Sequence, residues 1–318
     1  MRYSPYACVL ILQLTSSILT RMACVNPSGP GRPKGSVVTR VPSAAGVQLA
    51  IETWGTEGNP GVVFAHGFGQ TRNAWAGTAS AIAAEGWRCV AYDARGHGDS
   101  GWRGAEPYSW EQLLDDLLTV AETAGPRPVL VGASMGGLLG LAAEGLRAPL
   151  FRALVLVDVT PRWEPAGVDR IMGFMRAHPD GFDSLQHASE AIAAYLPHRS
   201  ARKSPERLRS LLADHGDGRL RWHWDPRLLD EIAQDSASHQ PLLIEAAQRV
   251  RIPTLLISGG ASDLVSHTTI DEFLALVPHA RHIVVPHATH MVAGDDNIVF
   301  TRHVLEFLHT LQDEESVQ

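Results

Sequence analysis

A chain of 318 residues is long enough to bury a sizeable core, as one large α/β domain or two smaller ones. Its 45% hydrophobic and 19% charged residues are ordinary for a globular protein, and a formal net charge of -7 excludes a general nucleic-acid surface, which needs a basic face. No run of about 20 apolar residues occurs, which excludes a predicted spanning helix, and three cysteines make no even disulfide framework.

Arg2 followed by the apolar stretch Ala7 to Leu14 looks like a thin leader, but Arg21 and Met22 interrupt the place where a small-residue cleavage site is wanted. The expectation is a cytoplasmic protein, with export as the alternative and Met22 as a second candidate start. Asn26 to Ser36 is rich in Pro and Gly without periodicity, so residues 1–36 read as a lead-in outside the fold.

Val37 to Val41 and Gln48 to Trp54 predict a starting hairpin, and Gly61 to Ala65 a buried strand that ends at His66-Gly67-Phe68-Gly69-Gln70. Asn73 to Ala84 is an Ala-rich helix stopped by Gly86. Trp87 to Asp93 is the next strand, with Cys89 a buried free thiol inside it. From Ser109 to Thr123 a helix places Leu113, Leu114, Leu117, Leu118 and Ala121 on one face. Ala153 to Val159, Ile252 to Ser258 and Arg281 to Val285 are further strands, and Gly294 to Leu311 closes the chain as a helix. Strands that are apolar throughout and alternate with helices predict a mainly parallel sheet covered on both faces.

The most informative stretch runs from Pro128 to Gly140. A short aliphatic strand leads into Gly132-Ala133-Ser134-Met135-Gly136 and then into a helix of small residues. A serine on so tight a strand-to-helix turn sits in strained backbone, and a Cβ at Gly132 or Gly136 would meet neighbouring backbone. The turn holds the Ser134 hydroxyl clear of the sheet and aims the Met135 N–H at the same spot.

The rhythm breaks after Thr160. Residues 161–240 predict only helical pieces, Gly167 to Arg176, Ser184 to Tyr195 and Pro205 to Leu212, which is too much chain for a loop and reads as a cap over the site. The cap divides the core into residues 37–160 and 241–318. Trp163, Met172, Phe174, Met175, Phe182, Trp222 and Trp224 give it more aromatic and Met surface than small helices need, for gluing it to the core or for lining an apolar acyl or alcohol pocket. Arg199, Arg202, Lys203, Arg207, Arg209, Arg219 and Arg221 form either a solvated face or a means of holding an anionic group.

A serine hydroxyl needs a base, and the base needs an orienting group. Asp263 and His290 each follow a strand end, where a parallel sheet gathers its loops on one rim, and the chain order Ser, Asp, His fits one known arrangement. From about Val37 to Leu311 the sequence resembles the α/β-hydrolases. His66 to Gly69 is similar to the family's oxyanion loop, Asp93 to Ser100 to its D-x-R-G-x-G-x-S loop and Gly132 to Gly136 to its nucleophile elbow. Ser258 to Asp263 and Ala288 to Val292 are similar to its acid and histidine loops.

The resemblance implies an eight-stranded core with a helical cap after the sixth strand. It also implies Ser134 as nucleophile, His290 as base and acid, Asp263 as orienting carboxylate, and the Phe68 and Met135 N–H groups as oxyanion hole. Thr289 stands where the family has glycine, and Ala133 where it often has histidine. Within the family the chain looks most like small carboxylesterases, cofactor-free haloperoxidases and C–C bond hydrolases. The expected activity is hydrolysis of a small carboxylic ester through an acyl-enzyme, with no cofactor and no metal. Cleavage of a C–C bond in a dicarbonyl compound, or a lyase step with the same triad, is the alternative, and a ligand receptor the non-enzymatic one. Serine in place of aspartate at the elbow disfavours epoxide and haloalkane chemistry.

Several residues compete for these roles. Asp158 also ends a strand and could replace Asp263 as the acid, its other reading being a carboxylate that caps its loop. His287 competes with His290. His66 and His97 read as structural, bonding loop backbone, and Asp93 as organiser of the loop carrying Arg95. The pairs His279/His282 and His287/His290 have metal-like spacing but no acidic or Cys partner.

Overall fold

The computed structural model describes residues 35–316 apart from 45, 103–105, 148, 196–207, 210, 215, 234–235 and 296. The lead-in up to residue 34 therefore lies outside the described residues, with Cys8 and Cys24, as do Arg199, Arg202, Lys203 and Arg207 of the basic run.

In chain order the first six strands are β1 (Val37–Pro42), β2 (Gln48–Trp54), β3 (Gly61–Ala65), β4 (Arg88–Tyr92), β5 (Val129–Ala133) and β6 (Ala153–Val157). Two short ones follow, β7 (Leu212–Asp214) and β8 (Leu220–Trp222), and then β9 (Thr254–Gly259) and β10 (Arg281–Val285). All but β7 and β8 join one eight-stranded sheet in the order β1-β2-β4-β3-β5-β6-β9-β10. Only β1 with β2 and β2 with β4 pair antiparallel; every other pair in that sheet is parallel. The runs Gly-Val-Val-Phe-Ala of β3 and Ala-Leu-Val-Leu-Val of β6 are buried at every position. That is what a strand covered by helices on both faces requires.

Strand β3 is flanked by β4 on one side and β5 on the other. The chain thus leaves β3 in one direction and returns to the other side of it, opening a crevice beyond the carboxyl ends of β3 and β5. The loop His66 to Gln70 follows β3 and Ser134 follows β5, so topology alone brings them to the same crevice.

The helices are α1 (Ala76–Ala84), α2 (Trp110–Thr123), α3 (Met135–Leu146), α4 (Pro165–Arg176), α5 (Leu185–Tyr195), α6 (Gln240–Arg249), α7 (His267–Leu276) and α8 (Asn297–Ser316). Ser109 caps α2 by accepting the Gln112 N–H at 3.2 Å while the Gln112 side chain accepts the Ser109 N–H. The apolar face of α2 is buried through Leu113, Leu114, Leu117, Val120 and Ala121, and Leu118, half-buried, packs against the same core. Cys89 is buried and free, and burial pushes its thiol pKa up.

Two stretches depart from the expected pattern. The segment between β6 and α6 is not wholly helical, because β7 and β8 pair antiparallel across a turn with Gly216 and Gly218 at φ of 79° and 80°. Phe182 extends this small sheet by exchanging backbone hydrogen bonds with Leu220 at 2.7 and 2.8 Å, and is buried with Ala188 and Leu208 in a separate small core. Half of the helix expected over Pro205 to Leu212, residues 205–207 and 210, lies outside the described residues, and its last residue is in β7. At the other end, the expected closing helix begins as a short turn, Val292–Asp295, before α8. The Asn297 side chain donates to the Ala293 carbonyl at 3.0 Å and to Thr78 Oγ1 at 3.2 Å, which ties the start of α8 to α1.

Candidate active site

The geometry of the serine turn follows from its glycines. Ser134 adopts φ 46° and ψ -118°, a strained region for a side chain with a Cβ, at the first residue before α3. A Cβ on Gly132 would stand 2.6 Å from the Gly136 oxygen, and one on Gly136 would stand 2.4 Å from the Ala65 oxygen of β3. Neither backbone can move aside without breaking a strand or a helix. Gly136→Ala should therefore destabilise by on the order of 1–3 kcal/mol or more. Gly173→Ala in α4, where nothing lies within 4 Å of the added carbon, should hold or raise stability. Urea unfolding of the two variants checks the contrast.

The Met135 N–H, first in α3, has no carbonyl one turn earlier in its helix to receive it. The loop after β3 is held from both sides of Phe68. His66 donates from Nδ1 to the Gly67 carbonyl at 2.8 Å and accepts the Ala94 N–H at Nε2 at 2.9 Å. His97 accepts the Gly69 N–H at Nε2 at 3.1 Å and donates from Nδ1 to the Arg95 carbonyl at 3.2 Å. Gly67 lies so close to the serine that a Cβ on it would be 3.2 Å from Ser134 Cβ. Phe68, between these clamps, packs edge-on against His97 at 5.4 Å and against Trp224 at 5.6 Å between ring centroids.

A third buried imidazole joins this cluster from the far side. His223 accepts the Gly98 N–H at Nδ1 at 3.1 Å, and the neighbouring Asp225 N–H donates to the Gly96 carbonyl at 2.8 Å. Burial pushes the pKa values of all three histidines down, with His97 well below its ordinary value and His223 at about 4, helped in each of these two by the other imidazoles nearby. An unfolded histidine takes its proton near about pH 6.5. Below that pH the unfolded chain binds more protons than the folded one. The stability present above it is then lost as pH falls through the depressed folded values. The urea midpoint should be level above about pH 7 and fall steadily from about pH 6.5 downward; a midpoint unchanged to about pH 5 would mean these rings are not held neutral.

The expected loop organiser behaves as such. Asp93 is fully buried, accepts the Arg72 N–H at 2.7 Å and the Asp99 N–H at 2.9 Å, and pairs with the Arg72 guanidinium. Arg95 makes a buried two-pronged bond to Asp116 at 2.6 and 2.7 Å.

Sequence and structure part at the carboxylate beside His290. The carboxylate that meets His290 is that of Asp158, with His290 Nδ1 donating to Asp158 Oδ2 at 2.7 Å. Asp158 follows β6, has φ 48°, and is fully buried. Its Oδ1 accepts the Gly259 N–H at 2.8 Å and its Oδ2 accepts the Ser262 hydroxyl at 2.6 Å. The last residue of β9 and the loop after it thus both donate to the Asp158 carboxylate. Asp263, expected in that role, is carried past the histidine and forms an ion pair with Arg170 of α4 at 3.2 Å. Its backbone is pinned there, since Gly167 packs so tightly on it that a Cβ would come within 2.1 Å of the Asp263 oxygen.

The other histidines are used singly. His279 Nε2 bonds the Ile252 carbonyl at 3.0 Å, His282 Nε2 bonds Ser258 Oγ at 2.8 Å, and His287 is exposed. Among the described residues no group of three or more His, Cys, Asp or Glu side chains could hold a metal ion, and no helix is long and apolar enough to cross a membrane.

Ser134 lines two cavities. One, of about 230 Å³, is lined by His290, Gly67, Gln70, Asp263 and Arg170 together with Phe174, Trp222 and Trp224. The other, of about 130 Å³, is lined by Met135, Asp158 and Trp163 with Met172, Leu243 and Leu264. Phe68 and Met175 face both. All six cap residues expected at a pocket are therefore at one, whereas Phe182 serves the small core. Sequence reasoning passed over Trp110, Leu138 and Leu243, whose helical spacing reads equally well as core.

A family model described as the alpha/beta hydrolase family matches residues 62–301. The chain is 32% identical over 259 residues to a 3-hydroxybutyrate-oligomer hydrolase of Cupriavidus necator, a match spanning 76% of this chain and 86% of that protein. It is 28% identical to the esterase Rv0045c of Mycobacterium tuberculosis over 78% of this chain and 81% of the esterase. A crystal structure of that esterase superposes with a TM-score of 0.68, covering 92% of this chain and 96% of the other. E-2-(acetamidomethylene)succinate hydrolase shares the fold at a TM-score of 0.76 and 24% identity, over 86% of this chain and 99% of that one. The chain belongs to the α/β-hydrolase family, and it is a hydrolase.

Proposed function

We propose that the protein is a serine esterase that cleaves small carboxylic esters through an acyl-enzyme. Ser134 attacks the ester carbonyl as His290 takes its proton. The Phe68 and Met135 N–H groups receive the oxygen on which charge develops, where one such donor typically contributes about 3–4 kcal/mol. His290 then protonates the leaving alcohol and, in the second half, activates the water that releases the acid. Asp158 holds the imidazole with Nδ1 protonated, so that Nε2 is left free for the serine.

The observation that carries this reading is the His290 to Asp158 bond of 2.7 Å at the cavity that Ser134 shares. It is supported by relatives whose names describe ester cleavage: the oligomer hydrolase, the esterase, and a mouse sn-1-specific diacylglycerol lipase at 30% identity. We assign residues 161–240 to a cap that walls the cavities. The test is turnover of short p-nitrophenyl esters by the protein, with an organophosphonate labelling Ser134 and abolishing release. Stoichiometric binding without turnover would instead make this a hydrolase-like receptor.

A further inference from the structure

The two cavities at Ser134 are not equivalent, and the reaction assigns them. The leaving alcohol must be protonated by His290, so it has to lie on the side that His290 lines, which is the larger cavity. The acyl group then extends past Met135 into the smaller one. That cavity is walled by Trp163, Met172, Leu243 and Leu264, with the His239 ring tilted against that of Trp110 at 5.1 Å, and among the described residues no Lys or Arg lines it. The larger cavity differs in chemistry. Arg170 lines it, its guanidinium 5.3 Å over the Tyr195 ring and 3.2 Å from Asp263 Oδ2.

That ion pair is an occupied but exchangeable site. The Arg170 side chain is 53% exposed and that of Asp263 27%, and an ion pair whose guanidinium is half exposed contributes little. Asp263 Oδ2 accepts no hydrogen bond despite being out of contact with solvent. The guanidinium has donors to spare and can turn a fork of N–H groups to a carboxylate entering the cavity.

Resting on the esterase reading above, we propose that the preferred substrate is the ester of an apolar acid with a hydroxy acid, and that Arg170 binds the free carboxylate of the hydroxy-acid half. The ester C–O bond on the acyl side breaks, the serine proton relayed by His290 ends on the departing hydroxyl, and in the second half water supplies the oxygen of the new carboxylic acid while one of its protons restores the serine. The products are the apolar acid and the free hydroxy acid. A linear oligomer of a hydroxy acid, cut at its carboxyl end, presents the same leaving group.

The test compares two esters of hexanoic acid, one with 3-hydroxybutyrate and one with the neutral 3-hydroxybutyramide. The wild-type kcat/KM should favour the carboxylate by at least about tenfold. Arg170→Gln should bring the ratio close to one, mainly through KM, and Arg170→Lys should restore part of it. Asp263→Asn, which removes the competing carboxylate, should raise the ratio. Leu243→Trp should instead penalise long acyl chains and leave the ratio alone. No preference in the wild type, or one that survives Arg170→Gln, overturns the proposal while Ser134-dependent turnover of both esters leaves the esterase standing. Absence of turnover for both esters and for p-nitrophenyl esters removes the esterase reading and the inference with it.

Discussion

Asp158→Asn should lower kcat by a factor on the order of a thousand to ten thousand, with little change in KM. The carboxylate is fully buried and accepts from Gly259 N–H, the Ser262 hydroxyl and His290 Nδ1. An amide in its place turns one donor toward these three donors. The histidine is then left in the wrong tautomer or orientation, and Nε2 no longer takes the serine proton. Asp263→Asn, which touches only the Arg170 pair, should cost less than about tenfold on a neutral ester, since half-exposed ion pairs contribute little. Steady-state kinetics of the two variants, with urea midpoints to show that both are folded, decides between the two aspartates. Collapse at Asp263 with an active Asp158→Asn would reinstate the acid expected from sequence.

Ser134→Ala and His290→Ala should each reduce kcat by about a millionfold, and the double variant should be no worse than either alone. The hydroxyl and the imidazole act as one unit: without its base the serine is an ordinary alcohol, and without the serine the base has no proton to take. What should survive is the contribution of the proposed oxyanion donors, the backbone N–H groups of Phe68 and Met135, and of substrate binding. Losses that multiply in the double variant would show that the two side chains work independently. Ser134→Ala should also leave the urea midpoint near the wild-type value or raise it, because the residue sits at φ 46° in service of its position rather than of stability.

Features encoded in short stretches of chain are legible from the order of residues alone. The apolar runs of β3, β5 and β6 could only be buried strands, and the glycines at 132 and 136 could only mean close backbone approach on either side of Ser134. His66 and His97 bond loop backbone, as their places in those loops suggest. The cap is harder to read, because the strands β7 and β8 are three residues each and only partly buried, so they carry no alternation to detect.

The sequence by itself determined the class of fold and the places of the serine and histidine proposed to react, since each rests on local spacing that survives whatever the chain does elsewhere, whereas for the aromatic and Met side chains of residues 161–240 it left a core role and a pocket role equally open. Only the tertiary structure brought one of two aspartates, both following strands that end on the same rim, into contact with His290. Strands β6 and β9 are neighbours in the sheet, so Asp158 and Asp263 start from adjacent positions. What separates them is the path of each loop. Asp158 turns back at φ 48° into the donors of Gly259 and Ser262, while Asp263 is drawn outward by the contact of its backbone with Gly167 and by Arg170. Those partners lie roughly a hundred residues from each other in the chain, a distance over which no spacing rule operates and only packing can choose.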